Sequence, residues 1–273
     1  MIDVSDITFR YPGTWRDVFT EFSLRLSGGG IYGLLGKNGT GKSTLLYILC
    51  GLLRSQRGNV LIDGEDPSLR LPGMLRETFI VPEEFDLPPV TLDTYIRINE
   101  GFYPRFSGEV LKACLRDFEL PRVMRLDELS MGQKKKVYMC IALASGTRML
   151  FMDEPTNGLD IPSKALFRKV VKGNMQEGRT LIISTHQVHD VEPLLSHILI
   201  LDESKILLDA PVSDICSKYA FEYRLPTDMT SDVIYAEPTL QGNAVIVPRK
   251  DGATTRINLE LLFNAVVKGL CKI

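Results

Sequence analysis

The segment 36–43, Gly-Lys-Asn-Gly-Thr-Gly-Lys-Ser, constrains this chain more than any other feature. It has the spacing of a phosphate-binding loop (P-loop), it follows the apolar run 31–35, and the residues after it read as a helix. Several backbone N–H groups must converge on phosphate oxygens, and side chains at Gly36, Gly39 and Gly41 would block that approach. A glycine-rich turn without a ligand is the alternative, which the flanking strand and helix disfavour. The segment therefore predicts an α/β core that binds a nucleoside triphosphate.

Polar side chains in and after this loop would complete the phosphate site. Lys42 would reach the β- and γ-phosphates as a point charge, and the hydroxyl of Ser43 would be a ligand of Mg²⁺. The predicted helix begins here, so its N-terminal dipole would face the same phosphates. The expected nucleotide-binding set in this region is Gly36, Asn38, Gly39, Thr40, Gly41, Lys42, Ser43 and Thr44.

Size and charge limit the remaining possibilities. With 273 residues, 44% of them apolar, the chain can form one large domain, or a domain of about 200 residues with a small addition. A net charge of −2 gives no overall basicity, so we expect no nucleic-acid partner. The five cysteines lack the paired spacing of a metal site. There is no signal-peptide pattern and no apolar run of about 18 residues. We therefore expect a cytoplasmic protein that reaches the inner face of the membrane only through a partner.

Apolar patterns predict a β region, then a helical region, before the parallel core resumes. Alternation over 2–11 and 22–26 and a short strand at 59–64 indicate an N-terminal antiparallel β subdomain. Helical spacing over 91–100 and 108–119 indicates an inserted helical subdomain at about 85–146. The expected fold class is α/β, a P-loop NTPase core with these two subdomains and a small C-terminal α+β appendage.

The second half returns to alternating strands and helices. Uniformly apolar strands at 149–152 and 181–184, with a helix at 162–176 between them, suit a parallel sheet covered on both faces. Beyond about residue 212 the pattern changes, so we divide the chain into domains at 1–211 and 212–273. The second domain is expected to hold strands at 233–235, 244–247 and 255–257 and a helix at 259–268.

Two carboxylates end the apolar strand at 149–152. In P-loop ATPases the first, here Asp153, holds Mg²⁺ and its water shell. The second, Glu154, would polarise the attacking water as a general base. Acidic pairs also end strands as helix caps, but the P-loop upstream favours the catalytic interpretation.

Five motifs in a fixed order make the chain resemble the ATP-binding-cassette (ABC) ATPases over about residues 1–210. They are the P-loop, Leu-Ser-Met-Gly-Gln at 129–133, Met-Asp-Glu-Pro at 152–155, Asn-Gly-Leu-Asp at 157–160 and Ser-Thr-His at 184–186. The resemblance implies that the nucleotide is ATP, bound with Mg²⁺. It also implies that a second copy of the chain joins the first as a homodimer, with two ATP molecules held head to tail between them.

The resemblance assigns further residues to the site. Ser130, Gly132 and Gln133 match the signature motif, in which Met131 replaces the usual glycine; they would contact the γ-phosphate on the other subunit, and Ser130 would also cap a helix. Asp160 matches the loop that couples the two sites.

Two more assignments concern contacts with the γ-phosphate and with the adenine ring. His186 matches the switch histidine, which contacts the γ-phosphate and the attacking water. Tyr11 falls where an aromatic residue stacks on adenine, and Trp15 in the same loop is the competing candidate.

One position departs from the family pattern. A glutamine usually follows the strand before the helical region, where it binds Mg²⁺ and senses the membrane partner, but here the equivalent residue is Glu83. A carboxylate can also bind Mg²⁺, although it adds negative charge near the triphosphate. The lysines at 134–136 are expected to be a solvated helix face, with weak electrostatic help at the dimer seam as the alternative.

The resemblance implies the ATP-hydrolysing subunit of a membrane transporter that drives a separate transmembrane permease, and the Glu83 departure favours an exporter. The helical region near 85–105 would carry the groove for the permease, with Phe85, Tyr95, Phe102 and Tyr103 as candidate contacts. The alternative is a cassette ATPase that acts as a regulatory or assembly subunit with little turnover.

Overall fold

The computed structural model describes residues 1–240, 242–250 and 256–271. Near the N-terminus, strand β1 lies between its antiparallel neighbours β2 and β4. Alternate residues such as Ile2, Val4 and Ile7 are buried because successive strand side chains point to opposite faces. The bounds are β1 Ile2–Phe9, β2 Phe19–Leu26 and β4 Arg57–Ile62. The predicted N-terminal antiparallel β subdomain is thus confirmed, with a strand at each of the three predicted places.

The central sheet has the strand order β5-β6-β7-β3-β8-β9 among the described residues. All its pairs are parallel except β8 and β9, which form a hairpin. Every residue of β6 and β7 is buried, as expected for strands covered on both faces. The bounds are β3 Gly30–Leu35, β5 Thr78–Val81, β6 Met149–Asp153, β7 Thr180–Thr185, β8 His197–Asp202 and β9 Lys205–Pro211.

The helices cover this sheet and build the helical subdomain, in which α3 and α4 precede α5. Ser107 caps α4 by accepting a hydrogen bond from the Val110 N–H. From Val137 onward α5 is largely buried, and it packs against α4 and β5. The bounds are α1 Lys42–Leu49, α2 Pro72–Leu75, α3 Leu92–Asn99, α4 Gly108–Asp117, α5 Met131–Ala144, α6 Ile161–Gly173, α7 Val188–Val191, α8 Val212–Lys218 and α9 Leu259–Val267. Within the described ranges, none of the helices is long and apolar enough to cross a membrane.

The C-terminal part is α+β as predicted, but four of its elements differ from expectation. One is the strand expected at 233–235, which begins only at Tyr235. Its antiparallel sheet has the order β10-β12-β11, with β10 Tyr219–Arg224, β11 Tyr235–Thr239 and β12 Gly242–Pro248. Neither β10 nor α8 was predicted. The strand expected at 255–257 is wrong at 256 and 257, and residue 255 lies outside the described residues. These residues instead lead into Asn258, whose side chain caps α9 by accepting a hydrogen bond from the Leu261 N–H.

One apolar core runs from the central sheet into the C-terminal part. Ile215, Ile246 and Leu262 belong to the same buried cluster as Leu181 of β7. The core does not stop where β9 gives way to α8, so the division at 211/212 stays a prediction.

Candidate nucleotide-binding site

Parallel pairing brings the polar ends of four strands to one edge of the sheet. Leu35 of β3 is in register with Thr185 of β7, and Asp153 of β6 is in register with Ser184. β5 ends beside β6, so Glu83, which follows it, lies at the same edge. In open α/β sheets, ligands bind outside the carboxyl ends of the strands.

The P-loop requires its glycines for different reasons. Gly41 has a φ of +100°, and a Cβ there would lie 2.8 Å from Phe19 Cζ and from Val18 Cγ1. A Cβ on Gly36 would lie 2.6 Å from the carbonyl oxygen of Leu201. Gly39 has a φ of +81° and open space around its Cα. The loop is therefore crowded on its protein side at Gly36 and Gly41 and accessible at Gly39, as a phosphate cradle must be.

Lys42 is the buried cation of this loop. It is 6% exposed, and its Nζ donates to the carbonyl oxygens of Gly36 at 2.9 Å and of Lys37 at 3.0 Å. Burial lowers the pKa of Lys42, while the carboxylates of Glu154, Asp153 and Glu83 act in the opposite direction. The ammonium group is thus fixed at the loop close to three acidic residues.

Asp153 offers an oxygen suited to a metal ion. One carboxylate oxygen accepts a hydrogen bond from the Ser184 hydroxyl, whereas Oδ2 is buried without a partner of normal geometry among the described residues. Burial raises the pKa of Asp153, and the hydroxyls of Ser184 and Ser43 oppose that rise. An orphaned carboxylate oxygen near the Ser43 hydroxyl is a hard-oxygen donor set of the kind that Mg²⁺ prefers. These residues therefore fit Mg²⁺.

Glu154 and His186 are joined by hydrogen bonds. Glu154 Oε1 lies 2.7 Å from His186 Nδ1 and accepts a hydrogen bond from the His186 N–H, and Oε2 accepts one from the Thr185 hydroxyl at 2.9 Å. Glu154 is 5% exposed and has a φ of +43°, a left-handed conformation that is strained for a non-glycine residue. Such strain persists where surrounding contacts hold it, and it concentrates at functional sites.

A cavity of about 550 Å³ joins these groups. It brings the P-loop, Glu154 and His186 together with Glu83, the candidate metal ligand that departs from the family pattern. Its lining includes Tyr11, Val18, Asn38, Gly39, Gly41, Lys42, Ser43, Thr44, Glu83, Glu154, Asn157 and His186.

The aromatic candidates differ in their positions. The Tyr11 hydroxyl lies 3.1 Å from Thr44 Oγ1, and its ring packs edge-on against Phe9 at 5.0 Å. Trp15 is 96% exposed and lines an adjoining cleft. Tyr11 is thus tied to the P-loop helix, whereas Trp15 is free of the core.

The signature residues are bonded to their own helices. Ser130 accepts a hydrogen bond from the Gln133 N–H, and the Gln133 side chain accepts one from the Ser130 N–H, which completes a capping box on α5. Gly132 lies beside the turn at Gly158. Asp160 caps α6 by accepting from the Ser163 N–H at 2.9 Å, and hydrogen bonding with the side chain and the N–H of Ser163 lowers the pKa of Asp160. Ser130 and Asp160 are exposed.

The expectation that residues 134–136 form a solvated face is wrong for Lys135. This side chain is 3% exposed, and its Nζ donates to the carbonyl oxygens of Glu154 at 3.1 Å and of Asn157 at 2.9 Å. Only tertiary packing of α5 against the segment after β6 reveals this contact. Lys134 instead pairs with the exposed Asp86 at 3.4 Å.

Three further residues of the site were not assigned from the sequence. Ser184 and Thr185 hold the two carboxylates, and Asn157 donates to Glu83 Oε1 at 2.8 Å. All three stand inside motifs that marked the family resemblance, so their polar character beside an apolar strand was the available signal.

The strand, loop and helix geometry, with a buried lysine opposite two strand-end carboxylates, defines the class of P-loop ATPases. Comparison with known proteins narrows this class. The family model described as "ABC transporter" matches residues 19–157. An uncharacterised ABC transporter ATP-binding protein, MJ1023 of Methanocaldococcus jannaschii, is 31% identical over 231 residues, which cover 81% of each chain.

More distant relatives point the same way. The Nod factor export ATP-binding protein I of Rhizobium etli is 28% identical over 78% of this chain and 69% of its own. A solved dimer of the bacterial ABC transporter cassette MJ0796 superposes with a TM-score of 0.66 at 25% identity, over 77% of this chain and 98% of that one. The chain belongs to the ABC transporter family and is an ATP-binding cassette ATPase.

Proposed function

We propose that this chain is the ATP-hydrolysing subunit of an ABC membrane exporter, which dimerises around two ATP molecules and drives a separate permease. One observation carries the proposal. Glu154 is buried and hydrogen-bonded to Thr185 and His186, while Ser130 and Asp160 lie on an exposed surface at helix N-termini, where free N–H groups favour anions. A second copy of the chain would supply that surface to the first.

Within one copy, the residues divide the chemistry among them. Lys42 and the loop N–H groups bind and neutralise the β- and γ-phosphates, and Tyr11 stacks on the adenine. Glu154 accepts a proton from the attacking water, and the Nδ1 contact with His186 fixes the carboxylate and leaves the histidine ring facing the cavity. Ser43, Asp153 and Glu83 would hold Mg²⁺, which would supply positive charge to neutralise the phosphates when bound.

Between copies, Ser130, Gly132 and Gln133 would present the start of α5 to the partner's γ-phosphate. An anion at a helix N-terminus is stabilised by free N–H groups and by the helix dipole. Asp160 would lie at the seam between the two copies. ATP would then hold the dimer together, and its hydrolysis would release it.

A groove beside the helical subdomain is the proposed permease contact. It has a volume of about 540 Å³, and its lining includes Leu52, Leu75 and Phe102, which are 51%, 36% and 62% exposed. Exposed apolar side chains gathered in a groove are typical of a protein–protein contact. Tyr103 also lines it, whereas Phe85 stacks on Tyr138 inside the subdomain at 4.7 Å. A cytoplasmic helix of the permease fits such a groove and would place the chain at the inner face of the membrane.

The direction of transport rests on relatives and on Glu83. Two relatives, from Rhizobium etli and Cupriavidus metallidurans, are named Nod factor export ATP-binding proteins and are each 28% identical to this chain. Export is therefore the proposed direction.

The variant Glu154→Gln tests the hydrolytic role. Because the amide cannot accept the proton of water, we expect ATP hydrolysis to fall about 10²-fold or more. ATP binding should persist, and gel filtration with ATP should show an accumulated dimer. The control Glu177→Gln changes an exposed glutamate elsewhere and should leave both properties unchanged. Equal hydrolysis by Glu154→Gln and the unchanged protein would favour the regulatory alternative.

A further inference from the structure

Lys135 connects the signature helix to the segment after the catalytic strand. Lys135 lies in α5 and is 3% exposed. Its Nζ donates hydrogen bonds to the carbonyl oxygens of Glu154 and Asn157. A lysine is rarely this buried unless its charge is paired. Two neutral carbonyl oxygens satisfy its donors only in part, because an ammonium group has three donors.

Asn157 connects Lys135 to a negatively charged partner, the carboxylate of Glu83. The backbone of Asn157 accepts the bond from Lys135 Nζ, and its side-chain amide donates to Glu83 Oε1 at 2.8 Å. One residue thus bridges the cation and the carboxylate. Burial lowers the pKa of Lys135, and Glu83 is the strongest of the nearby carboxylates that act against that change.

The charge balance of the cavity explains why a cation is needed there. Glu83, Asp153 and Glu154 all lie near Lys42, so one loop lysine faces three carboxylates. ABC ATPases usually carry a neutral glutamine where this chain has Glu83. Glu83 is half-buried, and an extra carboxylate there without a counter-charge would destabilise the site and repel the triphosphate.

We propose that Lys135 is the counter-charge of Glu83, a positioning residue that, through Asn157, holds a carboxylate where the family has an amide. The inference rests on the proposed placement of Glu83 at the nucleotide. It implies that residues 83 and 135 depend on each other, so that a neutral residue at one position favours a neutral residue at the other. A purely structural lysine, which only tethers the two carbonyl oxygens, would show no such dependence.

A double-mutant cycle on the nucleotide-free protein in EDTA tests this dependence. The proteins are the unchanged chain, Lys135→Gln, Glu83→Gln and the double variant, with thermal unfolding as the readout. Loss of a counter-charge in the Glu83 background should lower the midpoint by roughly 5 °C or more. The same change in the Glu83→Gln background should lower it by less than half as much.

Lys134→Gln is the matched control. It removes the neighbouring lysine, whose ion pair is with the exposed Asp86 carboxylate and not with Glu83, so its effect should be the same in both backgrounds. Equal losses for Lys135→Gln in the two backgrounds would overturn the proposal. If Lys135→Gln fails to fold, recovery of folding in the double variant supports the pairing, and failure of both variants refutes it.

Hydrolysis gives a second readout. Lys135→Gln should lower kcat about tenfold, and adding Glu83→Gln should restore it to within about threefold of Glu83→Gln alone. Lys135→Arg keeps the charge and should retain more activity than Lys135→Gln. The unfolding cycle contains neither ATP nor metal, so its outcome is independent of whether Glu154 proves to be the base.

Discussion

Around Glu154 the side chains are hydrogen-bonded to one another, and Glu154 and Thr185 are buried while His186 is exposed. Around Ser130 the side chains are exposed and hydrogen-bonded to the first turns of their own helices. The first region is set by the fold, because the parallel strands β3, β6 and β7 place Lys42, Asp153, Glu154 and His186 at one edge of the sheet. The second region is a surface. Its polar groups, Ser130 and Asp160, cap helices and are still exposed to solvent. Folding alone therefore builds the first region, and in the proposed dimer a second copy of the chain would supply the rest of the site.

Mixing two inactive variants would test this difference most severely. Lys42→Met disables the P-loop and Ser130→Glu opposes a negative phosphate, so each alone should lose about 10³-fold in hydrolysis. In a head-to-tail dimer, a mixed pair contains one intact P-loop facing one intact signature. An equal mixture should therefore regain up to about a quarter of normal activity. A mixture as inactive as its components would show that each chain completes its own site.

Two serines that cap helices allow the structural role of Ser130 to be separated from its proposed role in hydrolysis, because loss of either cap should destabilise the fold equally. Ser130→Ala and Ser107→Ala each remove a helix cap, so each should cost about 1 kcal/mol and lower the unfolding midpoint by roughly 2–4 °C. Only Ser130→Ala should lower kcat, by about 10²-fold, because only Ser130 is proposed to meet a phosphate. Similar kcat values for the two variants would leave Ser130 with a capping role alone.

The smallest effect concerns the charge of Asp160. Its pKa lies below the ordinary value of 3.8, so the ionised form stabilises the folded state above that value, and this stability is lost as pH falls through the lowered pKa. Asp160→Asn keeps a capping oxygen without the charge. We expect a slightly lower unfolding midpoint than that of the unchanged chain at pH 7, with the gap between the two midpoints closing as pH falls below 3.8. A constant gap across this range would indicate that the charge contributes nothing.

The placement of Lys42, Asp153 and Glu154 at one edge of the sheet was largely predictable, because local patterns determine it. An apolar strand followed by glycines, or by two carboxylates, specifies its own structure, while the chemical roles of these residues stay predictions. The position of β3 between β7 and β8 was not predictable from these patterns, since strand order depends on long-range pairing.

Errors arose where tertiary contacts override the local pattern. Lys135 reads as one of three solvated lysines, and only the packing of α5 buries it. Residues 256 and 257 have strand-like composition, but the cap at Asn258 starts a helix immediately after them. The short helix α8 and strand β10 lie next to each other without a turn signal between them, and both were missed.

The attachment of the C-terminal part limits how this protein can be shortened. Glu192 accepts a hydrogen bond from the Leu259 N–H at 2.9 Å, and His189, three residues after His186, lies 2.6 Å from Glu260. Ile215 and Leu262 extend the same buried cluster. A chain cut at residue 211 would expose that apolar surface beside His186, so a minimal cassette obtained this way should aggregate rather than report on ATP turnover.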